Sequence, residues 1–218
     1  MIRIAVDGPG GAGKSTISKI VAKELGIEYI DTGAMYRAIG LKILKENIDG
    51  DDDEALASML SDTVIDFDGG VTYLDGVDVS GEIRSEEVGK AASKYSAKAA
   101  VREKLVELQK MMAASKSVIM DGRDIGTNVI TDAELKIFLT ADENERAKRR
   151  YEELISKGKS ADFDEVLADI RQRDYNDTHR KLNPLKKADD AVELDTTNMT
   201  IEEVAEYIIR EAAKHGSN

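Results

Sequence analysis

The chain has 218 residues, no cysteine, a formal net charge of −12 at pH 7 and a pI near 4.8. That length can bury a full core, as one domain or as one domain carrying an insert. The missing cysteine excludes a disulfide, a thiolate nucleophile and a cysteine metal site, so a reducing, cytoplasmic setting is expected. The acidic balance argues against nucleic acid or an anionic membrane surface as a partner. It does not argue against a small anionic ligand, because a local arginine cluster can override the global field. No apolar run is long enough to span a bilayer, the first residues lead into a core strand rather than a signal peptide, and a monomer is expected.

The chain opens on Ile2–Val6, a short β-branched run expected as a buried strand. Gly8-Pro9-Gly10-Gly11-Ala12-Gly13-Lys14-Ser15, closed by Thr16, fits the phosphate-loop pattern G-x-x-x-x-G-K-[ST]. Ile17, Ile20, Val21 and Leu25 then recur at the spacing of an amphipathic helix, so the loop joins a strand to a helix as the motif requires. Glycines let backbone N–H groups converge on phosphate oxygens, and the helix N-terminus adds a positive dipole. Lys14 would supply a point charge to the β- and γ-phosphates of a bound nucleotide, and the Ser15 hydroxyl is placed to ligate Mg²⁺.

A second strand is expected at Glu28–Ile30, followed by Asp31-Thr32-Gly33-Ala34-Met35-Tyr36-Arg37. The carboxyl ends of strands face the ligand crevice in doubly wound sheets. Tyr36 and Arg37 are expected to begin a helix with Met35, Ile39 and Ile43 inward, leaving Arg37 to point at the crevice; an ordinary solvated helix arginine is the alternative. Thr63–Val79 breaks the pattern. Three short alternating runs are separated by Gly69-Gly70 and Asp75-Gly76, which predicts a small antiparallel meander inserted over about residues 62–85.

Ser117–Met120 predicts a third buried strand, ending in Asp121-Gly122-Arg123-Asp124. An aspartate at the end of an apolar strand is costly unless it meets a metal, water or a cation. Asp121 stands where a Walker-B-type carboxylate would hold Mg²⁺ through water, and Arg123 and Asp124 would overhang the crevice; plain turn residues are the alternative. Leu135–Leu139 and Ala191–Leu194 complete five expected buried strands alternating with helices, the pattern of a doubly wound parallel α/β sheet. Asp142, Asp162 and Thr200 each precede a glutamate by three residues, a helix-start signal. Arg146, Arg149 and Arg150 share one helix face, as do Arg173, Asp177 and Arg180, and Ser156–Ser160 lies between as a small flexible turn. Two arginine-bearing helices joined this way would make a hinged lid over about residues 146–180, since the guanidinium fork pairs with phosphate oxygens; salt-bridged, solvated faces are the alternative. The last helix, with Ile201, Val204, Ala205, Ile208 and Ala212 on one face, is expected to pack on the sheet.

In this order, GPGGAGKST, DTGAMYR, SGEIR, VR-x-x-L, DGRDIGT and RD-x-x-D-x-x-R resemble bacterial cytidylate kinases, from Ile2 to about Ile209. The resemblance implies a single P-loop kinase domain over 1–218 that uses ATP and Mg²⁺ to phosphorylate CMP or dCMP in pyrimidine nucleotide metabolism. It implies that Thr32, Tyr36 and Arg37 line the acceptor pocket, with Arg37 and Arg123 clamping the CMP phosphate. Ser93, Arg102 and Asp124 correspond to cytosine contacts, and Asp177 and Arg180 to sugar and phosphate contacts near the lid. Arg173 and Asp121 complete the acceptor-side set, and Lys14, Arg123, Arg149 and Arg180 form the catalytic set. Kinases of other acceptors, such as shikimate or another nucleoside monophosphate, share the loop. A GTPase switch would need an N/T-K-x-D tetrapeptide, which these 218 residues lack. An ATP-driven interaction protein should carry a large apolar or basic face, and none is evident in the sequence.

Overall fold

The structure is a computed structural model that describes residues 1–215. In chain order the elements are β1 (Arg3–Asp7), α1 (Lys14–Leu25), β2 (Glu28–Asp31), α2 (Thr32–Lys45), α3 (Asp53–Ser61), β3 (Ile65–Asp68), β4 (Val71–Leu74), β5 (Val77–Asp78), α4 (Glu86–Tyr95), α5 (Ala99–Ala114), β6 (Val118–Gly122), β7 (Leu135–Thr140), α6 (Glu143–Ser156), α7 (Phe163–His179), β8 (Val192–Asp195) and α8 (Ile201–Ala213). They form two compact units. One holds Met1–Tyr29 and the chain from Ser115 onward; the other is Ile30–Ala114.

The first unit is built on a parallel sheet of order β2-β6-β1-β7-β8. β1 is central and pairs in parallel with β6 on one side and β7 on the other, and β7 pairs with β8. Ile4, Ala5 and Val6 are fully buried because both faces of the central strand are covered, which is why this strand reads as an unbroken apolar run. The edge differs from expectation. β8 alternates, with Val192 and Leu194 half-buried and Glu193 and Asp195 exposed, since a strand at the margin has one covered face. Ile17 and Val21 of α1 and Val204, Ala205 and Ile208 of α8 pack with Ile4, Val6, Ile119, Ile137 and Leu139 in one apolar cluster, so the last helix packs on the sheet as expected.

Caps follow the sequence signals. Asp142 accepts from Asn144 N and Glu145 N, Asp162 accepts from Glu165 N, and Thr200 with Glu203 forms the full reciprocal box. A smaller cluster of Ala147, Val166 and Ile170, flanked by Leu154, Ala161 and Leu167, holds α6 against α7. The strand order reverses at β1, where the chain first leaves to one side toward β2 and later fills the other with β7 and β8. A reversal of this kind opens a ligand crevice at the strands' carboxyl ends. The chain leaves β1 there through Gly8, with φ 148°, and a side chain on Gly8 would begin 2.1 Å from the Leu139 carbonyl oxygen. Only glycine lets the loop start this close to β7.

The second unit contains α2 to α5 and a three-stranded antiparallel sheet in the order β3-β4-β5. The meander forms as its turn residues predict. Asp68 pairs with Val71 across Gly69-Gly70, and Leu74 pairs with Val77 across Asp75-Gly76. Asp75 takes a left-handed φ of 51°, accepts from Val64 N at 2.8 Å and takes the Lys42 ammonium at 2.6 Å, which ties the second turn to α2. One boundary is corrected: α2 starts at Thr32, not at Tyr36. The Asp31 carboxylate accepts from Ala34 N at 2.9 Å and caps the helix, so Thr32, Gly33 and Ala34 are its first turn. Met35, Ile39 and Ile43 face inward, as their spacing implied.

Candidate active site

The first unit gathers a dense set of charged groups at the carboxyl ends of β1 and β6. Gly13 N-caps α1, so the phosphate loop runs from the end of β1 into the first turn of a helix. Lys14 is the first residue of that helix and is only 5% exposed. Its ammonium donates to the carbonyls of Gly8 at 2.8 Å and Pro9 at 2.7 Å, which hold it inside the loop. Burial, and next the charge of Arg123, keep its pKa well below the usual lysine range, while Asp121, Asp7 and Asp177 pull it back up.

Asp121 is 5% exposed and meets two hydroxyls. Ser15 Oγ donates to one carboxylate oxygen and Tyr29 Oη to the other, each at 2.8 Å. This brings the two expected metal ligands, Ser15 and Asp121, side by side. A hydroxyl and a carboxylate are hard oxygen donors, the kind that suits Mg²⁺.

Arg123 lies against the loop. Its Nη2 is 3.6 Å from where a side chain on Gly10 would begin, and its Nε donates to Asp177 at 2.7 Å. Arg180 donates to Asp124 at 3.0 Å and to the Asn183 carbonyl at 2.7 Å. The side chains of Arg180 and Asp124 are 9% and 8% exposed, so this ion pair is buried. Arg123, Asp124, Asp177 and Arg180 are thus brought together, but as two cross-linked pairs rather than four separate contacts. Arg180 is also not on the α7 face expected for it. It is the C-cap, with extended backbone at φ −62° and ψ 145°, and it reaches Asp124 because the chain turns there. Arg173 is exposed on α7.

The three arginines of α6 separate in the same way. Arg146 is buried, forks onto both oxygens of Asp174 at 3.2 and 2.6 Å, and donates to the Gly10 carbonyl at 3.0 Å. It therefore links α6, α7 and the phosphate loop. Arg149 donates to the Thr196 carbonyl at 2.9 Å, and Arg150 pairs with Glu153 in solvent. Arg149 also pairs with Glu145 four residues before it, at 3.4 Å, so salt-bridged helix-face contacts describe Arg150 and part of Arg149.

Two residues of this site lay outside the sequence expectations. Tyr29 completes the Asp121 pair. Asp7, only 4% exposed, accepts from Ile125 N and Gly126 N at 2.8 Å each, and burial pushes its carboxyl up to about 6. The rule that singled out Asp121, a carboxylate closing an apolar strand, applies equally to Asp7.

The second unit carries the other residues that the sequence places at the acceptor. Thr32 is buried in the first turn of α2, and Tyr36 and Arg37 lie one turn further on, half-buried. The buried Arg102 guanidinium of α5 lies over the Tyr36 ring, 5.8 Å from its centre. Ser93 is exposed on α4, which packs closely on α2: a side chain on Gly40 would begin 2.9 Å from Ala92 N. Within this unit the structure brings Tyr36 and Arg102 together.

A sequence model described as Cytidylate kinase matches residues 4–214. The chain belongs to the cytidylate kinase family. A Caldicellulosiruptor saccharolyticus protein named Cytidylate kinase is 53% identical over 212 residues, spanning 95% of this chain and 94% of that one. A Lactobacillus johnsonii protein of the same name is 50% identical over 222 residues, spanning 100% of this chain and 96% of that one. Among solved structures, TT1252 from Thermus thermophilus is alike with a TM-score of 0.51 at 17% identity, over 100% of this chain and 98% of that one. An uncharacterized protein from Eubacterium ventriosum gives 0.54 at 13%, over 98% of each chain. These two are likenesses of fold alone. At the ends of β1 and β6 this family member thus places a phosphate-loop sequence, a hydroxyl–carboxylate pair and four buried or half-buried arginine and aspartate side chains.

Proposed function

We propose that this chain transfers the γ-phosphoryl group of ATP to the phosphate of CMP or dCMP, giving ADP and CDP or dCDP. The observation that carries this is the convergence of Lys14, the Ser15–Asp121 pair and the cross-linked Arg123, Asp124, Asp177 and Arg180 in a chain of the cytidylate kinase family.

The chemistry asks little of a general base. A phosphate monoester loses its second proton with a pKa near 6, so the attacking oxygen is already ionised at neutral pH. The difficulty is bringing two polyanions together in line, which needs charge neutralisation and positioning. Lys14 and the loop N–H groups take the donor phosphates. Ser15 and Asp121, through water, would hold Mg²⁺, which when bound neutralises charge on the donor phosphates. Arg37 and Arg123 take the acceptor phosphate, and Thr32 and Tyr36 line its pocket. Asp124, Arg102 and Ser93 read the cytosine edge: a carboxylate suits the exocyclic amine, and an arginine suits the N3 and O2 acceptors. An ADP-release assay against CMP, dCMP, UMP, AMP, GMP and shikimate should give the highest specificity constants with CMP or dCMP. A preference for any other acceptor overturns the assignment.

The α6–α7 hairpin serves as the lid. Arg146 and Asp174 sit at its root, and Arg149 and Arg180 can turn to the phosphates. The connecting stretch from Ser156 to Phe163 has few apolar anchors, chiefly Ala161 and the edge contact of Phe163 with Tyr151. Such a segment opens at low cost and is ordered by ligand. Amide exchange across 156–163 should slow when a bisubstrate analogue joining ATP to CMP is added. Equal protection with and without the analogue would remove the lid from the mechanism.

A further inference from the structure

Asp7 is a buried carboxylate that the scheme above leaves unused. It closes β1 and directly precedes Gly8, the first residue of the phosphate loop. One of its oxygens accepts from Ile125 N and the other from Gly126 N, each at 2.8 Å. Those are the two residues that follow Asp124. They open the short π-type turn Ile125–Val129, whose first N–H groups have no partner within the turn. Both residues are buried, so water does not replace the carboxylate.

The position of this contact matters as much as its strength. β1 and β6 run in register to Asp7 opposite Gly122, and there the ladder stops. Arg123 and Asp124 therefore leave the sheet, and Asp124 takes an irregular backbone conformation at φ −145°, ψ 29°. The ladder ending at Gly122 holds one side of this pair, and Asp7 holds the other. A single side chain thus clamps the segment carrying Arg123 and Asp124 to the root of the phosphate loop.

We propose that Asp7 is a positioning residue that sets where Arg123 and Asp124 stand relative to the phosphate loop, and through them the affinity and base preference for the acceptor. This rests on the reading of Arg123 and Asp124 as acceptor contacts. Asp7 itself touches no substrate. It acts by satisfying two buried N–H groups that would otherwise pull the segment toward water.

Asp7→Asn is the test, because the amide nearly matches the carboxylate in shape but points N–H at N–H in one of the two bonds. Its KM for CMP should rise about tenfold and its CMP/UMP ratio of specificity constants should fall about fivefold, with the KM for ATP changed less than about twofold. A merely structural loss would move both KM values together and leave the ratio alone, and that result, or no change at all, overturns the proposal. Arg123→Ala run alongside separates two failures. If it raises the KM for CMP and Asp7→Asn does not, the clamp is wrong and the acceptor reading stands. If it leaves that KM unmoved, the acceptor reading falls and takes the proposal with it. Should Asp7→Asn not fold, amide exchange in the unaltered protein decides. Ile125 and Gly126 should be among the slowest amides without CMP. Fast exchange that slows only when CMP is added would show that the acceptor, not Asp7, orders this segment.

Discussion

Lys14→Ala should lower kcat roughly a thousandfold or more while the melting temperature changes little. The two halves of this expectation have separate causes. The ammonium is 5% exposed and held by the carbonyls of Gly8 and Pro9, so it sits inside the loop where donor phosphates would lie. Charge placed in a dry site needs no reorganisation when it stabilises a transferring phosphoryl group, which makes it worth far more than the same charge in water. Stability responds differently. Burial of the ammonium is unfavourable, as its lowered pKa records, and its partners are two backbone carbonyls and no carboxylate at bonding distance. Truncation removes that cost along with two hydrogen bonds, and the two changes offset each other. ADP release at saturating CMP and ATP gives the first quantity, and thermal unfolding followed by circular dichroism gives the second. Turnover within about tenfold of the unaltered protein would mean that Gly8–Ser15 is not the donor site.

Local signals carried most of the fold. All five strands of the parallel sheet lie within a residue or two of where their apolar runs place them; for the interior strands β6, β1 and β7 this is because a parallel strand covered on both faces is largely apolar, whereas the edge strands β2 and β8 are only half-buried. The meander was legible from two glycine-bearing turns, and three helix starts from caps that act over three residues. The misses have different causes, one of them a partner far away in sequence and two of them local chain geometry. β8 looks like an interior strand by composition, and only its place at the sheet margin exposes Glu193 and Asp195. The start of α2 was misplaced because Asp31 was read with the crevice rather than as a cap. Spacing put Arg180 on a helix face, but the helix ends one residue earlier.

The candidate site divides along the same line. Lys14, Ser15 and Asp121 were legible because a loop and a strand end define them locally. Three arginines of α6 look equivalent at helical spacing, yet Arg146 binds the phosphate loop, Arg149 a distant carbonyl as well as the neighbouring Glu145, and Arg150 the neighbouring Glu153. The pairing of Asp124 with Arg180 bridges 56 positions, and no periodicity could announce it.

That pairing makes Asp124→Ala the substitution with the widest expected effect, and two losses should be separable in it. The first concerns the base. Cytosine offers an amine where uracil offers a carbonyl oxygen, so a carboxylate favours one and repels the other. Losing such a partner costs roughly 1–3 kcal/mol, so the CMP/UMP ratio of specificity constants should fall about ten- to a hundredfold. The second concerns Arg180. With side chains 9% and 8% exposed and 3.0 Å apart, the pair is buried, and removing one member takes a close opposite charge from the other. Stability should drop by roughly 3 kcal/mol, the usual scale for breaking a buried pair. Arg180 should also lose its placement, so kcat should fall with CMP and UMP alike. A double-mutant cycle with Arg180→Ala isolates this second loss. If Arg180 acts through its pairing with Asp124, the two kcat effects overlap, with a coupling of roughly 1–3 kcal/mol. An unchanged CMP/UMP ratio in Asp124→Ala would show that Asp124 does not read the base. Additive kcat effects in the cycle would show that Arg180 works without it, and the ion pair would then be a contributor to stability alone.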